Sequence, residues 1–271
     1  MVKLSAHQRL LRFFYGNQLT APLFKRATNT LECYRKLSEN WNNCDPETNG
    51  EHWLLSLISQ DAEVVLDVGA NRGDWTSSLL NLGYSGNVWA FEASPQTASF
   101  LERRFAKYPK VSVETLALGA MNCELIFNDY GPHSPLSGFA SRELTIGVKP
   151  LESYSVPCWS LDTVWSPDRL SIDFLKIDTE GSEFAILRGA TKLLENKRIA
   201  CLQFEYGGTW IDSRTWLTEA IEFLWSFGYV VGRLLPNRVD WIEAPRCLQL
   251  ECFQYSNFVA CKDRREAHRL K

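Results

Sequence analysis

Residues Val64 to Gly73 read VVLDVGANRG, an apolar run followed at once by a glycine-rich turn and then by DWTSSLLN, a helix pattern. Val64, Val65, Leu66 and Val68 are the residues of a parallel strand buried on both faces, and Gly69 and Gly73 allow the backbone to bend and come close to a ligand. In open α/β sheets ligands bind at the carboxyl ends of strands, so this turn marks the expected site.

The spacing discriminates between cofactors. A dinucleotide fingerprint needs G-x-G-x-x-G, whose middle glycine admits a pyrophosphate. Here Asn71 stands at that place, which disfavours a nicotinamide or flavin dinucleotide. Asp67, two residues before Gly69, is able to accept a hydrogen bond from a cationic amino group, a polarity that fits S-adenosylmethionine. NVWAF, residues 87–91, reads as a second strand ending at Glu92, 25 residues after Asp67. A carboxylate there can take both hydroxyls of a ribose, a feature shared with NAD-binding folds. Ser94 and Pro95 then open a helix as N-cap and first-turn proline, predicted to run through FLERRFAKY until Pro109.

Six segments occur in a telling order: DVGANRG (67–73), FEASP (91–95), ALGA (117–120), SLDTV (160–164), FLKIDTEGSEFAILRGA (174–190) and FEY (204–206). Over about residues 50–260 the chain resembles the FkbM family of S-adenosylmethionine-dependent methyltransferases, with LKIDTEGSE and the downstream LRGA the most specific signature. Two departures are visible. Ala93 and Ser94 precede the proline where the family commonly has FEP, and ALGA lacks the acid often found after its glycine. The resemblance implies a Rossmann-like α/β fold, doubly wound on a mostly parallel seven-stranded sheet whose last strand is antiparallel. It also implies cofactor contacts from Asp67, Gly69, Ala70, Asn71, Gly73, Glu92, Ala117 and Leu118, and methylation of a hydroxyl on a sugar, glycan or other natural-product alcohol.

The rest of the chain reads consistently with alternating strands and helices. A helix over 74–82 closes at Gly83. VSVETLAL, SIDFLKI and IACLQFEY supply the third, fourth and fifth strands, and YVVGRLL and FQYSNFVACK the last two. SEFAILRGATKLLEN and SRTWLTEAIEFLWSFG carry helical apolar spacing, the second ending at Gly228. Residues 120–160 interrupt the rhythm: CELIFNDY and SYSVPCW read as an inserted β-hairpin, and GPHSPLSG between them is dense in glycine, proline and serine. A long loop inside a compact domain is usually functional or disordered, and this one is expected to act as a lid or acceptor-binding loop rather than a bare solvent-exposed insertion.

Length and an apolar fraction of 45% suit one soluble globular enzyme, divided as a helical N-terminal cap (1–50), the main domain (51–262) and a basic tail (263–271). With 29 basic against 32 acidic side chains there is no global nucleic-acid signal. The charge is uneven, however. Lys3, Arg9, Arg12, Lys25, Arg26, Arg35 and Lys36 face only Glu32 before residue 37, interleaved with Leu10, Leu11, Phe13, Phe14, Leu19 and Phe24. A helical cap packed on the sheet domain is the expected reading, with a weak membrane-surface or anionic contact as the alternative. KDRREAHRLK is expected to be a frayed, solvated end. LLRFFYG is broken by Arg12 and has no small-residue cleavage site, and no apolar run reaches about 18 residues, so a cytoplasmic location is expected. The eight cysteines, Cys33, Cys44, Cys123, Cys158, Cys201, Cys247, Cys252 and Cys261, contain no C-x-x-C and are expected to be buried free thiols.

The chemistry is expected at FLKIDTEGSE. Asp178 emerges at a strand end with Glu180 behind it, Glu183 reads as a first-turn helix residue, and Glu205 ends the neighbouring strand. A hydroxyl acceptor must lose its proton as it is methylated, and a positioned carboxylate or imidazole can take it, so Asp178, Glu180, Glu205 and the loop residue His133 are the catalytic candidates. An acidic cluster also suits Mg²⁺, but D-x-E-x-x-E is common at helix entrances and no required metal is expected. Two other function classes stand beside the methyltransferase: a catalytically silent methyltransferase-like module that binds a partner, which intact cofactor motifs oppose, and an oxidoreductase, which the missing glycine opposes.

Overall fold

The computed structural model describes residues 5–18, 20–166, 169–243 and 250–270; Lys3, Leu19, Cys247 and Lys271, named above, lie outside them. The chain divides into two compact units, 1–43 and 44–271. The first holds two helices, α1 (Ala6–Gly16) and α2 (Ala21–Ser38). Ser5 and Gln8 form a reciprocal capping box that opens α1, and the Phe14 and Phe24 rings stack at 4.7 Å to join the pair.

The second unit begins α3 (Glu51–Asp61), β1 (Val64–Val68), α4 (Asp74–Asn81), β2 (Asn87–Glu92), α5 (Pro95–Phe105), β3 (Val111–Thr115), β4 (Ala117–Gly119) and β5 (Cys123–Asp129). It continues α6 (Glu143–Ile146), β6 (Glu152–Ser160), α7 (Leu161–Val164), β7 (Ile172–Ile177), α8 (Glu183–Gly189), α9 (Thr191–Glu195) and β8 (Ile199–Tyr206). It ends α10 (Thr209–Asp212), α11 (Leu217–Ser226), β9 (Val230–Leu235), β10 (Arg238–Trp241), β11 (Ser256–Cys261) and α12 (Arg264–Arg269).

The main sheet has the order β10-β9-β11-β8-β7-β1-β2-β3. β1 is central, parallel to β2 on one side and to β7 on the other, and all five of its residues are buried. That is why its sequence is a continuous apolar run rather than an alternation. Leu54 and Leu55 of α3, Leu79 of α4, and Val65, Phe174 and Val259 of the sheet share one apolar cluster. Each such side chain contributes roughly 1.5–3 kcal/mol by leaving water. β11 runs antiparallel between β8 and β9, as expected for the last strand.

The sheet has eight strands among the described residues rather than seven. The extra strand, β10, turns back on β9 so that Arg238 faces Leu235 across Pro236 and Asn237. VSVETLAL is not one strand. It breaks at Leu116, whose N–H reaches back to the carbonyls of Glu92 and Glu114, and β4 leaves for a second sheet of order β4-β6-β5. The inserted hairpin is present as β5 and β6, paired from Cys123 with Cys158 to Asp129 with Glu152.

SEFAILRGATKLLEN likewise forms two helices, α8 and α9, separated at Ala190. A side chain at Gly189 would lie 2.0 Å from the Gly119 carbonyl, so α8 packs against β4 without intervening atoms. Asp162 of SLDTV then accepts the N–H groups of Lys192 and Leu193 and starts α9 afresh.

Two expectations about the chain's periphery are overturned. The basic tail is not frayed: Asp263 caps α12, Arg269 pairs with Asp61 at 2.6 Å, and Ala267 and Leu270 are buried in the core. Cys201 and Cys261 are not free thiols either. They face each other in register on β8 and β11 and are joined as a disulfide, a pairing that a sequence separation of 60 hides from local pattern. Cys158 is a buried thiol as expected, whereas Cys33, Cys44 and Cys123, against expectation, are exposed and Cys252 is half-buried. Among the described residues no helix is long and apolar enough to cross a membrane.

Candidate active site

The loops after β1, β2 and β7, Glu205 near the end of β8, residues of β4 and the segment between β5 and β6 enclose a cleft of about 900 Å³ counting its open mouth. It sits at the carboxyl ends of the parallel strands, where the topology places ligands.

The floor is the turn after β1. The N–H groups of Gly69 and Ala70 both donate to the Phe91 carbonyl at 3.0 Å, folding the turn over the end of β2. Gly69 has φ +80°, and a Cβ there would lie 1.8 Å from the Asp178 carbonyl. The close approach that demands glycine is therefore to the loop after β7. Gly73 (φ +77°) caps α4 and would strike Phe105 and Leu101 if it carried a side chain. Ala70 is buried with Ala90, Leu101 and Phe105. Neither Gly73 nor Ala70 lines the cleft.

Glu92 lies in the cleft wall. Its oxygens accept the Asn71 N–H at 2.9 Å and the Ser94 N–H at 2.8 Å, leaving lone pairs on both for further donors. Burial pushes its carboxyl up to about 7, with the Ser94 and Asn71 amides pulling the other way. Asn71, at φ +45°, presents a buried side-chain oxygen with no partner among the described residues. Ala117 and Leu118 add an apolar wall.

Asp67 is placed differently from expectation. It is fully buried beneath the turn, does not line the cleft, and accepts the Thr76 hydroxyl at 2.6 Å. Burial pushes its carboxyl up, opposed by the charge of Lys176.

At the far end of the cleft, carboxylate oxygens of Asp178, Glu180 and Glu205 lie within 4.8 Å of one another. Such a trio can share protons or converge on one small cation. Lys176, buried on β7, donates to Asp178 at 2.8 Å. Glu180 adopts φ +57°, and burial, followed by the charge of Asp178, moves its carboxyl up to about 8. Burial also raises Glu205 well above the usual carboxylate range, with Asp178, Glu180 and Glu183 pushing in the same direction. Glu183 is a helix-entrance residue as expected: its carboxylate accepts the Thr179 and Gly181 N–H groups and holds the loop in shape.

The segment between β5 and β6 forms the roof. His133 lines the cleft at φ +58°, with its ring 4.7 Å from that of Phe100 and a buried Nδ1 that has no partner among the described residues. Two contributors escaped the sequence reading. Asp129 lines the cleft at the end of β5, accepting the Gly131 N–H at 2.7 Å and the Tyr154 hydroxyl at 3.3 Å. The D-x-G turn was its one visible signal. Arg142, 2% exposed, lies behind the wall and had no local signal at all.

The sequence profile of the methyltransferase FkbM domain matches residues 67–231, the span from Asp67 below the turn to β9. The chain belongs to the FkbM methyltransferase family. FkbM enzymes depend on S-adenosylmethionine, which is therefore the cofactor of this one. No curated protein matches the chain. Solved structures similar to this FkbM protein include a precorrin-6y C5,15-methyltransferase from Geobacter metallireducens (15% identity, 78% of this chain and 88% of that one, TM-score 0.42). A TehB-like S-adenosylmethionine-dependent methyltransferase from Corynebacterium glutamicum is also similar (13%, 88% and 98%, TM-score 0.42). So is an rRNA methylase from Streptococcus thermophilus (14%, 78% and 93%, TM-score 0.40). The cleft of the FkbM protein suits its cofactor chemically: a buried carboxylate with spare lone pairs for a diol, an unpaired amide oxygen, and an apolar wall for a flat base.

Proposed function

We propose that this S-adenosylmethionine-dependent methyltransferase methylates a hydroxyl oxygen of a neutral, polyhydroxylated acceptor, a sugar, glycan or other natural-product alcohol. The observation that carries this reading is the lining of the cleft. It includes the carboxylates of Glu92, Asp129, Asp178, Glu180 and Glu205 and the imidazole of His133, with no lysine or arginine among the described residues. Such a wall offers no cation to a phosphate and many acceptors to hydroxyl donors.

In this reading Glu92 holds the ribose diol, Asn71 and the Gly69 turn hold the amino-acid end, and Ala117 and Leu118 flank the adenine. Asp67 supports the turn from below through Thr76. When bound, the cofactor supplies an electrophilic methyl group. The protein aligns the acceptor oxygen, which makes transfer effectively unimolecular and contributes several kcal/mol, and removes the hydroxyl proton. Lys176 neutralises Asp178 from the protein side, so Glu180 and Glu205 are the better bases of the three. A carboxyl raised to about 8 accepts a proton more readily near neutral pH than an ordinary one. His133 in the roof is the remaining candidate.

The test is turnover. The protein is incubated with S-adenosylmethionine and a panel of neutral glycosides and polyols, sugar phosphates and short RNAs, and products are examined for a gain of one methyl. Methylation confined to the sugar phosphates or RNA would overturn the reading.

A further inference from the structure

Arg142 is buried to 2% exposure, yet it belongs to the inserted segment and has no place in the cofactor or base assignments. A buried guanidinium persists only where its donors are met. Here three parts of the chain meet them. Nε donates to the Leu136 carbonyl at 3.2 Å, within the roof itself. Nη2 donates to the Glu180 carbonyl at 2.6 Å and lies 3.4 Å from the Glu180 carboxylate. Nη1 donates to Asp212 of α10 at 3.3 Å.

The surrounding bonds tie the same parts together. Asp212 also accepts the Thr145 hydroxyl at 2.7 Å, and the Arg142 N–H donates to the Tyr130 hydroxyl at 2.8 Å. The roof is thereby fastened at residues 136, 142 and 145 to one cation and its partners, with Tyr130 held to the Arg142 backbone. Glu180 sits at φ +57°, a conformation that non-glycine residues hold when neighbours over-determine it. The cation that meets its carbonyl is Arg142.

We infer that Arg142 is a positioning residue whose guanidinium clamps Glu180 and the 130–147 segment to each other, setting the base and the roof of the acceptor end in one act. The inference rests on the reading of this cleft as the transfer site. Planarity is essential to it: the fork directs separate N–H groups to Leu136, Glu180 and Asp212 at once, which an ammonium at the end of a lysine does not reproduce.

The experiment uses the full chain with Arg142→Ala and Arg142→Lys, titrated with S-adenosylhomocysteine and followed by amide hydrogen exchange. The expected result is S-adenosylhomocysteine affinity within about twofold of the unaltered protein, since Arg142 does not line the cleft. Exchange should accelerate at least about tenfold in both 130–147 and 178–182, and in Arg142→Lys as in Arg142→Ala. Methylguanidinium added to Arg142→Ala should restore slow exchange in both segments while methylammonium does not, a rescue that general destabilisation would not show. Unchanged exchange, or full protection in Arg142→Lys, overturns the clamp. Should Arg142→Ala fail to fold, Asp212→Asn keeps the arginine in place. The two segments then loosen together if the clamp is real, and loosening of one alone overturns it. Failure of the unaltered protein to bind S-adenosylhomocysteine would count against the cofactor site, whereas the clamp is read from exchange.

Discussion

The Glu92 carboxylate accepts the backbone N–H of Asn71 at 2.9 Å, joining the end of β2 to the glycine turn after β1 through a side chain still open to the cleft. Two sequence motifs 21 residues apart thus form one wall of the cleft.

With Glu92 on the ribose, as proposed, cofactor binding should depend on pH. Burial holds the Glu92 carboxyl at about 7, and ribose hydroxyls donate best to its ionised form. Affinity for S-adenosylhomocysteine should therefore rise with pH, by up to about tenfold per unit below 7, and level off above. Glu92→Gln should flatten the profile and cost about 1.5–3 kcal/mol of binding. Stability of the free protein should run the opposite way. A carboxyl whose folded value is raised stabilises the fold below its unfolded value, and that contribution is lost as pH rises through about 7. Calorimetric titrations and melting curves between pH 5 and 8 check both signs, and pH-independent affinity would remove Glu92 from the ribose.

Below the turn the expected effects fall on stability. Gly69→Ala places a methyl 1.8 Å from the Asp178 carbonyl at φ +80°, so the β1 turn and the β7 loop must part. A loss of at least about 2 kcal/mol in denaturant unfolding is expected, with weakened S-adenosylhomocysteine binding. Asp67→Ala removes a buried partner of Thr76 and an anion near Lys176, and should cost about 1–3 kcal/mol of stability. Its effect on affinity should be smaller than that of Glu92→Ala; the reverse order would put Asp67 in contact with the cofactor.

The acidic trio separates base chemistry from metal chemistry. Glu205→Gln and Glu180→Gln should lower kcat at least about tenfold, toward the accepting glycoside or polyol of the panel, while S-adenosylhomocysteine affinity stays near its original value. Asp178→Asn should do the same, since its partner Lys176 is then left buried without its closest anion. Chelator treatment is expected to leave turnover intact. Activity lost to a chelator and restored by Mg²⁺ would instead make the trio a cation site.

The roof is testable by trimming. Pro132 to Ser137 lie between the strand end at Asp129 and the backbone pair that joins Asn128 to Gly138, so a short glycine linker leaves both ends in place while removing the Leu136 carbonyl that meets Arg142. Cofactor affinity should be unchanged while kcat/KM for the acceptor falls at least about tenfold, or about 1.4 kcal/mol. His133→Ala isolates the imidazole: a large fall in kcat would make it a base, and unaltered kinetics in both variants would move acceptor recognition off this loop.

Local sequence was enough to place the strand–turn–helix at 64–81, the carboxyl-end position of Glu92, the inserted hairpin and the convergence of Asp178 with Glu205, because each follows from short-range periodicity or from parallel strands ending on one side of a sheet. It also carried the family signature in LKIDTEGSE. Other features depend on partners that sequence spacing does not encode. VSVETLAL splits because β4 finds β6, α9 starts afresh because Asp162 accepts the Lys192 and Leu193 N–H groups, and the basic tail becomes a helix because Ala267 and Leu270 have a core to enter. Asp67 occupies a motif position that suggested a ligand contact, yet the tight turn closes over it. Arg142 is the sharpest case. Nothing in SRELT distinguishes it from a solvated arginine; only the meeting of the roof, the β7 loop and α10 supplies the acceptors that keep a guanidinium out of water.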